Sequence, residues 1–200
     1  MSSTNWIQPI SLRGQHVSLE PLAIEHVPGL QAAAADGELW KLWYTSVPSP
    51  DQAQAYVETA LALREAGLAM PWVVRDGAGD IVGSTRYGNV EAGNRRVEIG
   101  WTWYAKRVQR SGLNTEAKLL LLTHAFEALE CNAVEFRTNW FNHASRNAIA
   151  RLGAKQDGVL RSHMRMPDGS YRDTVVFSIL ANEWPQVKRH LQFKLEQHGS

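Results

Sequence analysis

Residues 96–122 read RVEIGWTWYAKRVQRSGLNTEAKLLLL, and the change of period inside them governs the fold. From Arg96 to Tyr104 the apolar side chains alternate, with Val97, Ile99, Trp101 and Trp103 expected on one face of a strand. From Thr115 the spacing is helical and predicts a long helix to Leu129. Between the two lies a loop dense in charge and small polar groups: Lys106, Arg107, Gln109, Arg110, Ser111, Gly112, Leu113 and Asn114. A helix start leaves N–H groups unpaired and carries about half a positive charge, so added arginines and a glycine that admits close backbone approach favour a phosphate there. The same residues also read as a solvated helix start capped by Asn114 or Thr115.

Downstream, AVEFRT from Ala133 predicts a strand. A strand, crossover helix and strand in this order run parallel. SRNAIARLG, from Ser145, reads as a short helix closed by Gly153. VLRSHMRM and YRDTVVFSI flank Pro167-Asp168-Gly169-Ser170, a hairpin signal, and Trp184, Val187, Leu191 and Leu195 line one side of a last helix. Upstream, HVSLEPL predicts a first strand with Val17 and Leu19 inward, followed by a helix over Pro28 to Ala35. Ser49, Pro50 and Gln52 form a capping box for a second helix carrying Tyr56, Ala60 and Leu63 until Gly67. MPWVVRDGAGDIVGSTRYG predicts two strands around the turn Asp76 to Asp80, and Glu91 to Arg95 connects to the strand of the opening quotation. The order implies an α/β (α+β) fold: a mixed, mostly antiparallel sheet with one parallel central pair, flanked by helices. It is expected to form one domain over 1–200, with a core at about 12–180 and a C-terminal helix at 183–197.

The 200 residues carry a formal net charge of +1, so no broad field attracts nucleic acid or anionic lipid, and recognition of an anion must be local. Cys131 is the single cysteine. That excludes an internal disulfide and favours a cytoplasmic setting. The N-terminus lacks a basic stretch followed by an apolar one, and no apolar run has the length of a membrane span. No His/Cys pair has zinc spacing, so no metal is expected.

Gln109-Arg110-Ser111-Gly112-Leu113-Asn114 resembles the Gln/Arg-x-x-Gly-x-Gly/Ala signature of the GNAT superfamily of N-acetyltransferases, with Asn114 where that family has Gly or Ala. EIGWTWYAKRVQRSGLNTEAKLLLLTHAFE, NHASRNAIARLGAKQDGVLR and DGSYRDTVVFSI are similar to the branch containing the ribosomal-protein N-terminal (RimJ/RimL-like) acetyltransferases. The likeness runs from about Leu12 to Ile179 and implies the GNAT fold. It also implies acetyl-CoA as co-substrate and transfer to an amine by direct attack in a ternary complex. Arg107 and Gln109 to Thr115 would hold the pyrophosphate. The strands ending near Tyr104 and Thr138 would part, with pantetheine amides on the backbone of Trp103 and Tyr104. Asn142, Ser145 and Arg146 would face the carrier from the Asn-x-x-Ser-Arg segment.

The resemblance places Glu98 beside the thioester as candidate base, with Glu135 in reserve; an ion pair with an arginine on a neighbouring strand is the structural alternative. Ser145 stands near the sulfur as a donor, or caps the short helix, and Asn142 has the same two readings. Trp40, Trp43 and Tyr44 pack at helical spacing or, as the resemblance implies, line the acceptor site, where Asp36 and Glu38 would meet a cationic amine. Gly77-Ala78-Gly79 is a hairpin turn, not a dinucleotide loop, because no helix follows. His124 and His163 read as core or surface histidines. The acceptor is a protein N-terminus or a small-molecule amine, as in antibiotic or metabolite detoxification. A non-catalytic acyl-CoA sensor is the rival class. Neither nucleic acid nor membrane is an expected partner, and exposed tryptophan would permit a homodimer.

Overall fold

Short-range turn chemistry frames the sheet. In this computed structural model, which describes residues 6–198, Met70–Asp76 (β3) and Ile81–Glu91 (β4) are joined by a turn in which Asp76 Oδ1 accepts from the N–H groups of Ala78 and Asp80, and Gly79 takes φ +91°. Tyr171–Leu180 (β8) folds back on Lys155–Arg165 (β7) through Asp168, whose Oδ1 accepts from Ser170 N–H, with Gly169 at φ +86°. Only glycine takes these left-handed positions without steric cost.

With Leu12–Arg13 (β1), Val17–Pro21 (β2), Arg96–Tyr104 (β5) and Ala133–Asn139 (β6), these strands form one sheet ordered β1-β2-β3-β4-β5-β6-β8-β7. Every neighbouring pair is antiparallel except β5 and β6, which run parallel as the crossover requires. Val27–Ala35 (α1) and Ala53–Glu65 (α2) cover one face with Leu22, Leu30, Val57, Ala60, Val73 and Trp103. Leu113–Thr123 (α3) and Trp184–His198 (α5) cover the other, over a core including Leu19, Trp72, Tyr87, Ile99, Leu121, Phe136 and Leu191. Each Val, Leu, Ile or Phe among them withdrawn from water contributes about 1.5–3 kcal/mol before the cost of ordering it. His143–Ala150 (α4) follows β6.

Three expectations are corrected. Val97, Ile99, Trp101 and Trp103 do not share a face: β5 carries an extra residue opposite β4, with Arg86 paired to Gly100 but Ser84 to Trp103, and Trp101 sits at φ +50°. The bulge inverts the alternation beyond it, so Trp101 is 38% exposed while Trp103 turns to the α1/α2 side and Tyr104 to the α3 side. The central helix begins at Leu113 and passes at His124–Ala128 into one π-helical turn rather than running regularly to Leu129. There the Tyr87 hydroxyl donates to Leu121 O at 2.5 Å, a carbonyl that also accepts from His124 N–H. In α2 the buried line is Ala53, Val57 and Ala60, set by entry through a 3-10 turn at Pro50–Gln52. Of the capping box, Gln52 Oε1 accepts from Ser49 N–H at 3.4 Å.

Candidate functional site

The parallel pair is joined at one end only. Arg96, Val97 and Glu98 pair with Ala133, Val134 and Glu135, and there pairing stops, although β5 continues to Tyr104 and β6 to Asn139. Each keeps its outer neighbour, Tyr104 opposite Gly83 and Asn139 opposite Thr174. The inner edges therefore diverge and leave main-chain groups available to a third extended chain. Buried polar atoms are orphaned at the same end: the Tyr104 hydroxyl, Asn139 Nδ2 and Trp103 Nε1. An unpaired buried donor costs about 1–3 kcal/mol. Burial also raises the Tyr104 phenol above its ordinary pKa, so it remains a donor.

The loop after β5 leads from this opening to the start of α3. Gly112 is the N-cap, in right-handed geometry at φ −66°, so neither Asn114 nor Thr115 caps the helix, and the left-handed residue is Arg110 at φ +61°. Ser111 Oγ donates to Val108 O at 2.6 Å and accepts from Leu113 N–H at 3.3 Å, which shapes the turn. Among the described residues the N–H groups of Gly112, Asn114 and Thr115 have no acceptor. Arg110 is exposed beside them. Two residues expected at the anion are engaged elsewhere: Gln109 Nε2 donates to Tyr104 O at 2.9 Å, and Arg107 reaches Asp76 and Asp80 at 3.4 and 3.5 Å. Asp36 and Glu38 are also engaged. Asp36 Oδ2 accepts from Arg107 N–H, and Glu38 pairs with Lys41.

Glu98 stands where the pairing ends, 6% exposed, accepting from Asn89 Nδ2 at 2.6 Å with Arg137 Nε at 3.7 Å. Burial raises its carboxyl to about 7 against the opposing pull of Arg137 and Asn89. Glu135 binds Arg96 at 2.8 Å and Arg137 more closely, as a structural ion pair. On the same face Arg86 lies against the rings of Tyr56 and Trp101 at 4.9 and 5.1 Å, with Nε buried and unpaired. A desolvated cation–π contact returns about 2 kcal/mol, less than the several kcal/mol lost when a guanidinium leaves water.

Across the opening, Asn142 rather than Ser145 caps α4: its Oδ1 accepts from Ser145 N–H at 3.0 Å. Ser145 is half-buried at the first turn. Arg146 folds back on Trp140, 4.4 Å above the ring and 3.2 Å from its carbonyl. Trp40 packs in the α1/α2 core, whereas Trp43 is exposed and meets both Tyr44 and Phe141 at 5.6 Å. Phe141, which sequence reading missed, thus joins the segment between α1 and α2 to the loop after β6.

Lys118 was also missed. It is buried in α3, donates to Thr102 Oγ1 at 2.7 Å, and Thr102 in turn meets Thr85 Oγ1 at 2.8 Å. Burial lowers its pKa to about 7. Among the described residues no group of three His, Cys, Asp or Glu is placed to hold a metal, and no helix is long and apolar enough to cross a membrane.

A family model described as an acetyltransferase (GNAT) domain matches residues 16–155. "Putative ribosomal N-acetyltransferase YdaF" of Bacillus subtilis (strain 168) is 34% identical over 110 residues, a match spanning 55% of this chain and 59% of that protein. A "putative acetyltransferase" of known structure from T. thermophilus is 35% identical with TM-score 0.83, covering 95% of this chain and 99% of its own. Mycobacterium smegmatis RimJ, solved in complex with CoA-disulfide, shares the fold at TM-score 0.77 and 22% identity, with 95% of this chain and 96% of its own covered. With the divided parallel pair and the open helix start, these matches establish that the chain belongs to the GNAT acetyltransferase family.

Proposed function

We propose that this protein is an N-acetyltransferase that moves an acetyl group from acetyl-CoA to a primary amine, foremost the α-amine of a protein or peptide. The parting of β5 and β6 beyond Glu98 and Glu135 carries this reading. Its unpaired inner edges fit a chain of amides, and the free N–H groups at the start of α3 fit the diphosphate at the end of such a chain. The name of the B. subtilis relative, a putative ribosomal N-acetyltransferase, favours a protein amine as acceptor.

Acetyl-CoA supplies an activated acyl carbon and a thiol leaving group. The chain's own residues supply position and charge. Gly112, Asn114 and Thr115 N–H with Arg110 hold the diphosphate, and the β5 edge at Trp103 and Tyr104 pairs the amides. Main-chain N–H groups near the Trp101 bulge polarise the thioester oxygen, an interaction worth most where charge develops in the reaction. Glu98 takes the proton of the attacking ammonium, directly or through water, and a carboxyl near 7 is matched to that task. Ser145 Oγ donates to the departing sulfur, and Trp43, Tyr44 and Phe141 border the acceptor's approach.

The test is calorimetric titration with acetyl-CoA, followed by incubation with peptide and small-amine sets and detection of acetylated product and free CoA. Binding followed by acceptor-dependent release of CoA is the expected result. Binding without release in any set would describe a sensor domain instead.

A further inference from the structure

The face that carries Glu98 also holds a cation to which the transfer chemistry assigns no task. Arg86, in the middle of β4, is 3% exposed, and among the described residues its guanidinium has no hydrogen-bond or ion-pair partner. The rings of Tyr56 and Trp101 lie against it. Aromatic rings offer the in-plane fork of a guanidinium no acceptor, and the Nε of this one is buried without a partner. The planar acceptor that matches such a fork with two parallel bonds is a carboxylate.

The register places this fork next to the candidate base. Arg86 lies opposite Gly100, and Glu98 lies opposite Gly88, so Arg86 and Glu98 share a face as diagonal neighbours, about 7–8 Å apart along the sheet. The residue between them on β5 is Gly100, which places no side chain of its own there. The Glu98 carboxylate leans over it, and a Cβ at Gly100 would lie 2.8 Å from Glu98 Oε1. Trp101 roofs the other half: a Cβ at Gly88 would lie 2.3 Å from its indole, which also covers Arg86. The surrounding charge is biased as well, since Arg96, Arg137 and Arg172 accompany only Glu98 and Glu135.

We propose that the acceptor is an amine that also bears a carboxylate, with the amine at Glu98 and the carboxylate on the Arg86 fork beneath Trp101. Acceptors of this kind are acidic amino acids and peptides whose first residues include Asp or Glu. Arg86 is then a specificity residue for the acceptor, with no part in holding acetyl-CoA. The proposal rests on the acetyl-transfer reading above.

The test compares matched acceptors at saturating acetyl-CoA: peptides beginning with Asp or Glu against the same peptides with Asn or Gln, and free glutamate against glutamine. The two sets separate the peptide source from the amino-acid source. In the parent, kcat/KM for the acid form should exceed that for the amide by about 100-fold in at least one set, the scale expected when a buried charge loses its partner. Arg86→Met should reduce that ratio to near unity while leaving the calorimetric affinity for acetyl-CoA unchanged. Arg86→Lys, which keeps the charge and loses the fork, should fall between and serves if the methionine variant does not fold. Equal rates for acid and amide in the parent would overturn this proposal alone. No acetylation in either set, with CoA released by other amines, would likewise overturn this proposal alone, whereas binding of acetyl-CoA with no release by any amine would overturn the transfer reading along with it.

Discussion

The two ends of the β5–β6 pair are built from the same two strands and meet opposite fates. At Arg96 to Glu98 the backbones are paired, and the acids find partners in Arg96, Arg137 and Asn89. At Trp103, Tyr104 and Asn139 the backbones have parted, and buried polar atoms have no partner. A sheet that pairs its groups fully gains stability and has nothing left to offer a ligand. The open end forgoes that gain, and it lies where a helix start adds unmet N–H groups. The contrast picks out the proposed site without reference to a groove. One groove, of about 310 Å³, lies to the side, between Trp140 and the β7–β8 hairpin.

The sharpest way to break the comparison is at Glu98, the last residue of β5 paired to β6. Glu98→Gln should lower kcat by about 10²–10⁴-fold, the usual contribution of a general base. With its carboxyl near 7, the parent should gain activity as pH rises through that value, and this limb should be absent from the variant's pH–rate profile. An unchanged profile would remove Glu98 from the chemistry. The raised pKa also means that between 4.5 and about 7 the folded chain holds a proton that the unfolded chain has lost, so this group's contribution to stability falls as pH rises through that window.

Lys118 sharpens the comparison from inside α3. It titrates at about 7 when folded against an ordinary 10.5, so between those values the unfolded chain holds the extra proton and stability climbs with pH. Lys118→Met should remove that slope and be more stable than the parent at pH 7, by about 1–4 kcal/mol. The gap, read from denaturant melts, should narrow toward pH 10. A destabilised variant would show instead that the bond to Thr102 outweighs the buried charge. Ser145→Ala tests the far side of the opening: turnover should fall about tenfold, the scale of one lost hydrogen bond, with melting temperature unchanged, because Asn142 already caps α4. The smallest effect belongs to the rim. Phe141→Ala should raise the acceptor KM a few-fold and leave the acetyl-CoA KM alone.

The frame of the molecule was legible where its causes are local. The turns at Asp76–Asp80 and Asp168–Ser170 follow from side chains that bond their own backbone, and the parallel pair follows from a helix between two strands. The bulge at Trp101 was not legible, since it exists only relative to β4, and alternation alone placed four apolar residues on one face. Gln109 and Arg107 have a type and position that suit an anion, yet their partners come from Tyr104 and from a distant hairpin. Arg86 and Lys118 did leave a trace: each is a long cation inside a buried element, IVGSTRYG and TEAKLLLL. What hid them was the normal expectation that such a residue extends to solvent.

Hydrogen exchange read by mass spectrometry, with and without acetyl-CoA, tests the divided pair most directly. Ligand should slow exchange at Ile99–Tyr104 and Arg110–Thr115 and leave Arg96–Glu98, already paired, as it was. Slowing confined to other segments, or none at saturating acetyl-CoA, would contradict the account.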